Sequence, residues 1–230
     1  AERTDFSGTN FVDPHTGQYS DRLLELTGLS ECKDKLPPLR NSVDQCGSVT
    51  RRGSAETGLS EGTPVYGGMF DIDANAIGMG ITHPEMLCII AGTWSVNQCL
   101  SSVPNFAESS YRCTNYCIPH YWLITESSPT SAGNLEWFVS HLLGEMTSDS
   151  SRYAYCDQMV EQLDPESSSL IFLPFLFGSN VKSVSSGGFV GLHGSHSTAH
   201  LVMALYEGVA FSHRMHVDRI LKHAPQMNCC

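Results

Sequence analysis

The chain has 230 residues, and its 24 acidic against 13 basic side chains give a formal net charge of −11 with neutral histidines. Because nucleic-acid binders and proteins docked on anionic membranes need clustered Lys and Arg, and the basic residues here are scattered, the composition argues against both partners. The hydrophobic fraction of 41% and the mean hydropathy of −0.13 are typical of a soluble globular chain, and no apolar run approaches the ~20 residues that span a bilayer.

The amino-terminal sequence AERTDFSGTNF lacks the basic start and the apolar middle of a secretory signal, so we expect a cytoplasmic protein. Nine cysteines, an odd number without regular spacing, then favour free thiols over a disulfide framework. No repeat or low-complexity tract interrupts the chain. The sequence gives no oligomeric state and is compatible with a homo-oligomer.

The first predicted helix begins at Asp21. Ser20 is suited to cap it, a leucine-rich face follows, and Gly28 offers a stop. Beyond it, the Pro37 and Pro38 pair and the polar residues 53–62 predict turns and short strands that lead to Tyr66.

A glycine pair opens the next predicted element, GGMFDIDANAIGMGI at residues 67–81. Gly67 and Gly68 permit backbone conformations closed to other residues, so a strand can turn sharply and place Asp71 near the start of a helix. A helix start stabilises the charge of a carboxylate. Asp71 and Asp73 are therefore candidates for a general base or a metal site, although an aspartate in this setting serves more often as a helix cap.

Strands and helices alternate through the rest of the chain, which indicates an α/β or mixed architecture. The run EMLCIIA at residues 85–91 predicts a short strand that ends at Gly92 and Thr93, a turn able to present backbone amides to a phosphate. The further predicted elements are two strands within residues 111–125, helices at 134–143 and 152–163, a buried strand at 170–177 and a long helix at 198–223.

Two clusters raise the question of a metal site. Cys113, Cys117 and His120 have a zinc-like spacing without an obvious fourth ligand. The five histidines between positions 193 and 216 fit neither a metalloprotease helix nor a relay to a nucleophile, and solvated or core histidines are the favoured interpretation. We assign no metal ligands from the sequence.

Six segments in chain order carry a resemblance to a known family: TDFSGTNF, the stretch 13–28 that ends in LLELTG, GTPVYGGMFDIDANAIGMG, AGTW, FLPFLFGSN and GGFVGLHGSHSTAHLVMALYEGVAFSHR. Together they extend over nearly the whole chain and resemble the FGGY family of carbohydrate kinases, which phosphorylate sugars, polyols and ketoses with ATP and magnesium. The segment ESSPTSAGNLEWF at residues 126–138 and the segment FLPFLFGSN resemble most the branch that acts on L-xylulose and 3-keto-L-gulonate.

The resemblance implies an α/β chain that is part of a two-domain sugar kinase with the ribonuclease-H-like, actin-like ATPase fold, sugar and ATP lying in the cleft between the domains. Residues 1–82 would be the C-terminal part of the first, sugar-binding domain. Residues 83–230 would be the N-terminal part of the second, nucleotide-binding domain.

The resemblance also implies roles for single residues. Asp71 would be the general base that takes the proton of a ketose hydroxyl as the oxygen attacks the γ-phosphate of ATP, with Mg²⁺ as the metal cofactor. Gly92 and Thr93 would contact phosphate, and Gly133 would lie in a segment lining the nucleotide site. Asp73 matches no role in the family, so a cap or a structural hydrogen bond is expected for it.

Two departures from the family pattern bear on activity. Ile72 stands where many members carry an Asn or Gln that touches the sugar. The chain also lacks the D-x-G-T-type phosphate turn at its amino end, and it stops at Cys230 before a G-G-G-A-type adenosine turn. The alternative expectation is therefore a truncated, catalytically silent fragment that at most binds a sugar or a partner.

Overall fold

The computed structural model describes residues 1–9, 11–106, 111–144, 149–164, 169–180 and 184–223. The helices of this part are α1 (Arg3–Ser7), α2 (Asp21–Leu26), α3 (Arg51–Thr57), α4 (Asp71–Gly78), α5 (Gly133–His141), α6 (Asp149–Glu161) and α7 (Thr198–His223), with a 3₁₀ helix at Ser30–Lys35. The strands are β1 (Val12–Asp13), β2 (Gln18–Tyr19), β3 (Gln45–Ser48), β4 (Pro64–Tyr66), β5 (Leu87–Ala91), β6 (Ser95–Ser101), β7 (Arg112–Asn115), β8 (Trp122–Ser128), β9 (Ile171–Leu173) and β10 (Gly188–Val190).

The described chain divides into two compact units. The first unit contains Ala1–Leu87 and Gln98–Ile124. The second contains Cys88–Asn97 and the residues from Thr125 to the end of α7. The chain therefore leaves the first unit, returns to it, and leaves it again.

Local signals place the helices of the first unit. The predicted helix is confirmed as α2, with the Ser20 hydroxyl oxygen accepting a hydrogen bond from the Leu23 N–H at 3.4 Å. Helix α3 lies where we predicted turns, and that prediction was wrong. Its signals are local: the Thr50 side chain caps the Gly53 N–H at 3.1 Å, and Gly58 ends the helix with a left-handed φ of +78°.

The short strands expected before the glycine pair are confirmed as an antiparallel hairpin of β3 and β4. The larger sheet has the strand order β5-β6-β8-β7. Strand β6 was not predicted, because its sequence SVNQCLS is polar at positions that the fold buries completely, Ser95, Asn97 and Gln98. A polarity pattern cannot identify such a strand, since the buried groups are stabilised by partners distant in sequence.

The second unit has a core shared by its helices and β9. The buried members are Phe138, Val139, Cys156, Leu170, Phe172, Val202, Ala204 and Leu205. Helix α7 confirms the long predicted helix and packs directly on β9: a Cβ added to Gly208 would lie 2.5 Å from the Phe172 carbonyl oxygen. Strand β9 is shorter than predicted, since Pro174 follows it and has no N–H for a strand ladder.

Among the described residues, no helix has both the length and the apolar character that a membrane crossing requires. No disulfide joins any of the seven cysteines in the described ranges.

A buried acidic group joins β8 to α7 in the second unit. Glu126 is completely buried, and its Oε2 lies 2.7 Å from Nδ1 of His216, itself 1% exposed. Nη1 of Arg219, one turn further along α7, lies 2.8 Å from Oε1 of the same carboxylate. Burying a carboxylate is costly unless polar partners of this kind surround it.

We expect Glu126→Gln to lower the free energy of unfolding by about 2 kcal/mol, the usual magnitude for a hydrogen bond to a charged group. The substitution keeps the shape of the side chain and removes its charge. Urea denaturation followed by circular dichroism measures the change. Glu207→Gln, at an exposed site on α7, the helix that carries His216 and Arg219, is the control, expected within about 0.5 kcal/mol of wild type. Equal stability of the two variants would contradict the prediction.

Candidate functional site

The glycine pair places Asp71 at the start of α4. A Cβ on Gly67 would lie 2.6 Å from the Asn41 carbonyl oxygen, so no larger residue fits there. Gly68 has a left-handed φ of +75°, which favours glycine. Asp71 is then the first residue of the eight-residue helix Asp71–Gly78, as predicted.

The Asp71 carboxylate is exposed and anchored at one oxygen. Its Oδ1 accepts a hydrogen bond from the Ile72 N–H at 2.8 Å. One residue earlier, the Phe70 N–H donates to the Thr4 hydroxyl at 2.9 Å, and this hydroxyl donates to Oε2 of Glu2 at 2.5 Å. The helix start is thus held by the amino-terminal segment, while the carboxylate stays accessible to a ligand.

Asp73 is buried where Asp71 is exposed. Its side chain is inaccessible to solvent, and Oδ1 accepts a hydrogen bond from the Cys117 N–H at 3.0 Å. Oδ2 is buried without a hydrogen-bond partner among the described residues. Burial raises the pKa of Asp73 to about 7, opposed by the Cys117 hydrogen bond and reinforced by the charges of Glu2 and Asp71. Asp73 therefore ties α4 to the turn after β7.

A pocket of the second unit, with a volume of about 630 Å³, lies beside α5. Its lining includes Thr93 and Gly133, two of the three residues expected at the nucleotide site. Gly92 lies behind this lining, where its carbonyl oxygen accepts a hydrogen bond from the Ala132 N–H at 3.0 Å. The structure thus brings the two sequence-distant turns together.

Close packing fixes the position of the Thr93 turn relative to the Gly133 turn. A Cβ on Gly133 would lie 3.3 Å from the Thr93 carbonyl oxygen and 3.4 Å from a ring carbon of Phe177. A larger side chain at Gly133 would press against the Thr93 turn and the Phe177 ring, so glycine suits the position.

Sequence reasoning missed most of the aromatic lining. Trp94, Trp137, His141 and Phe177 border the pocket together with Pro129, Glu136 and Ser140. The Trp137 and His141 rings stack with centroids 5.6 Å apart and an angle of 21° between their planes. The signal was present in the sequence, because Gly133, Trp137 and His141 follow one another at intervals of four on one helical face. The opposite face of α5 packs in the core through Phe138 and Val139.

The two remaining candidate clusters of the sequence are the one around Cys113 and the histidines near the start of α7. Cys113 is buried, and no group of three or more metal-ligating side chains is found within the described ranges. The rings of His193, His196 and His200 lie next to one another at the start of α7 in tilted arrangements, with centroids 3.8 and 5.4 Å apart. Their Nδ1 atoms bond to neighbouring backbone or hydroxyl groups, which is typical of a turn that precedes a helix.

Comparison with known proteins matches both halves of the chain to one family. Residues 1–78 match the profile described as the FGGY family of carbohydrate kinases, N-terminal domain, and residues 87–228 match the C-terminal domain of the same family. A "Probable L-xylulose kinase" of Haemophilus influenzae is 38% identical over 228 residues, 97% of this chain and 45% of that protein. The "L-xylulose/3-keto-L-gulonate kinase" of Escherichia coli is 37% identical over 220 residues, 95% of this chain and 43% of that protein.

Solved structures agree in fold. The xylulose kinase from Rhodospirillum rubrum aligns with a TM-score of 0.82 at 27% identity, covering 93% of this chain and 42% of that one. The Plasmodium falciparum glycerol kinase with ADP aligns with a TM-score of 0.84 at 17% identity, covering 99% and 44%, which supports the fold alone. The expected α/β fold of an actin-like sugar kinase is confirmed. The chain spans less than half the length of the relatives it matches.

Proposed function

Because the chain belongs to the FGGY family of carbohydrate kinases, we propose that the protein containing it transfers the γ-phosphate of ATP to a hydroxyl group of a ketose. L-xylulose and 3-keto-L-gulonate are the favoured substrates, since relatives 37% and 38% identical carry those names. The observation that carries the proposal is the pocket in which Thr93 and Gly133 meet. We place the end of the sugar-binding domain at residue 82 and the start of the nucleotide-binding domain at residue 83.

Asp71 is the proposed general base. A neutral hydroxyl is a poor nucleophile, and a positioned carboxylate that accepts its proton contributes roughly 10²- to 10⁴-fold to the rate. The Ile72 N–H already holds one oxygen of Asp71, which leaves the other to accept the proton. Because Ile72 offers no polar side chain, the contact to the sugar made at this position in many relatives comes from elsewhere.

The pocket beside α5 is the proposed nucleotide site. Its volume of about 630 Å³ and its mainly apolar, aromatic lining are those of a small-molecule site. Trp137, stacked on His141, offers a flat face to a base, and the Thr93 turn offers backbone amides and a hydroxyl to a phosphate. Mg²⁺, which the family uses with ATP, would neutralise charge on the nucleotide phosphates, and such an ion is usually held by one or two carboxylates together with those phosphates.

Phosphorylation is tested with a chimera. The 220-residue matching segment of the E. coli kinase is replaced by this chain, so that the remainder of both domains is supplied. ADP release is measured with ATP, Mg²⁺ and a panel of pentuloses, hexuloses and glycerol, and the 230-residue chain is assayed in parallel. We expect turnover with L-xylulose or 3-keto-L-gulonate. A chimera that folds and binds ATP but releases no ADP with any of the panel would overturn the kinase proposal in favour of a silent binding module.

Trp137→Ala should weaken ATP binding about tenfold, because stacking of a base on an aromatic side chain is worth about 1–3 kcal/mol. Isothermal titration calorimetry on the 230-residue chain measures the dissociation constant. Tyr155→Ala is the matched control, an exposed aromatic residue of the same unit on α6, outside the pocket, and its affinity should equal that of wild type. Unchanged ATP affinity in Trp137→Ala would contradict the proposal that the base stacks on this face of the pocket.

A further inference from the structure

One buried histidine contacts both chain segments that carry the proposed nucleotide residues. His213 of α7 is 7% exposed; its Nδ1 lies 3.0 Å from Oδ1 of Asn97, and its Nε2 lies 3.2 Å from Oγ of Ser131. Asn97 belongs to β6, which begins two residues after Thr93. Ser131 lies two residues before Gly133. Both partners are completely buried.

The hydrogen bonds define the tautomer of the ring. Asn97 donates through Nδ2 to the Ser95 hydroxyl oxygen at 3.0 Å, so its Oδ1, which can only accept, faces His213. Nδ1 of His213 therefore carries the proton and donates it, and the Ser95 hydroxyl oxygen, 3.2 Å from the same nitrogen, is a second acceptor. Nε2 is left as an acceptor, and the Ser131 hydroxyl donates to it. A ring that donates from Nδ1 and accepts at Nε2 is the neutral imidazole.

The surroundings favour that neutral form. Burial lowers the pKa of His213 below its ordinary value of 6.5, and the neighbouring His216 lowers it further. The charged groups next to His216 are Glu126 on β8 and Arg219 on α7, which contact each other. At neutral pH the bond from Ser131 is thus retained.

Ser131 connects His213 to the wall of the pocket through hydrogen bonds to Asn134. Its carbonyl oxygen accepts hydrogen bonds from the backbone N–H of Asn134 at 2.9 Å and from the Asn134 side chain at 3.0 Å. The residue before it, Thr130, contacts the Ser212 hydroxyl at 2.9 Å through its own hydroxyl. Two consecutive residues of α7 therefore hold two consecutive residues of the loop that leads into Gly133.

We propose that His213 is a positioning residue of the nucleotide site, which sets the spacing between the Thr93 turn and the Gly133 turn without contacting the nucleotide. The inference rests on the proposed function of the pocket. Binding groups that are already ordered lose little conformational freedom when a ligand arrives, whereas a loosened pair of turns must be ordered by the ligand at the expense of affinity.

The test compares ATP affinity with stability in the 230-residue chain. His213→Leu removes the contacts of the ring to Asn97, Ser95 and Ser131 at similar volume, and His213→Gln retains an amide that can accept from Ser131. We expect an increase in the dissociation constant of about tenfold for His213→Leu and recovery to within about threefold of wild type for His213→Gln. His216→Leu is the matched control: it is equally buried on the same helix but bonds to Glu126, and we expect its ATP affinity to stay within twofold of wild type.

Ser131→Ala decides the question if His213→Leu does not fold, because it removes one hydroxyl and should weaken binding at least threefold. Calorimetric titrations are run below the unfolding transition of each variant, located by circular dichroism. Wild-type affinity in His213→Leu or in Ser131→Ala, equal weakening in His216→Leu, or no rescue by His213→Gln would overturn the inference. Failure of the wild-type chain to bind ATP would instead remove the nucleotide site itself, and the inference with it.

Discussion

Asp71→Asn in the chimera with the E. coli kinase should lower kcat for ketose phosphorylation by about 10²- to 10⁴-fold and leave the KM for ATP within about threefold. The amide keeps the size of the side chain and can still accept from the Ile72 N–H, but it cannot take a proton from the sugar hydroxyl. The ADP-release assay gives both constants.

A matched control separates the chemistry of Asp71 from its place at a helix start. Asp21 is likewise the first residue of its helix, α2, and its carboxylate is exposed. Asp21→Asn removes a carboxylate from the same kind of position, and an ion pair with Lys33, without touching α4. We expect its kcat to equal that of the parent chimera. Near-normal turnover in Asp71→Asn would assign the proton transfer to another group.

Asp73→Asn should stabilise the chain at pH 8 and have little effect at pH 4. The pKa of Asp73 is raised from 3.8 to about 7 in the folded state, chiefly by burial. Between these two pH values the folded state keeps a proton that the unfolded state has released, so the free energy of unfolding falls as the pH rises through this window. The cost is complete above pH 7, where it reaches about 4 kcal/mol at 1.36 kcal/mol for each pH unit.

The asparagine variant avoids that cost because its amide does not ionise, and its carbonyl oxygen can still accept from the Cys117 N–H. Urea denaturation of both proteins at pH 4, 6 and 8 measures the difference. Asp34→Asn, at an exposed position of the 3₁₀ helix, is the control and should change the free energy of unfolding by less than about 0.5 kcal/mol at every pH. A gain from Asp73→Asn that is the same at pH 4 and pH 8 would refute the titration.

The sequence predicted the elements whose signals are local. Ser20 with Gly28, and the glycine pair before Asp71, place α2 and α4 through caps and backbone freedom, and the apolar stripe of α7 needs only its own periodicity. Strand β6 could not be predicted in this way. Its polar residues are buried because Asn97 and Ser95 meet His213, more than 100 positions away in the chain.

The residues of the candidate site also differ in whether the sequence could predict them. Motif resemblance identified Thr93 and Gly133, which the structure brings to one pocket. The ring of Phe177 reaches that pocket through tertiary packing alone, and no local sequence pattern predicts its place there. Asp71 and Asp73 have the same chemistry and stand two positions apart, yet one is exposed and the other inaccessible, a difference decided by the Cys117 turn.

The path of the chain through its two compact units has a consequence for synthesis on the ribosome. Because residues 98–124 return to the first unit after Cys88–Asn97, that unit cannot complete itself when residue 82 emerges. A nascent chain that ends at residue 82 would still lack the N–H of Cys117, which bonds Asp73, and the hydroxyl of Tyr116, which bonds the Ile81 carbonyl oxygen at 2.8 Å. The buried carboxylate of Asp73, on the helix that begins at Asp71, therefore finds its partner only after Cys117 has been made, and the first unit is complete only after residue 124, when one segment of the second unit has already been synthesised.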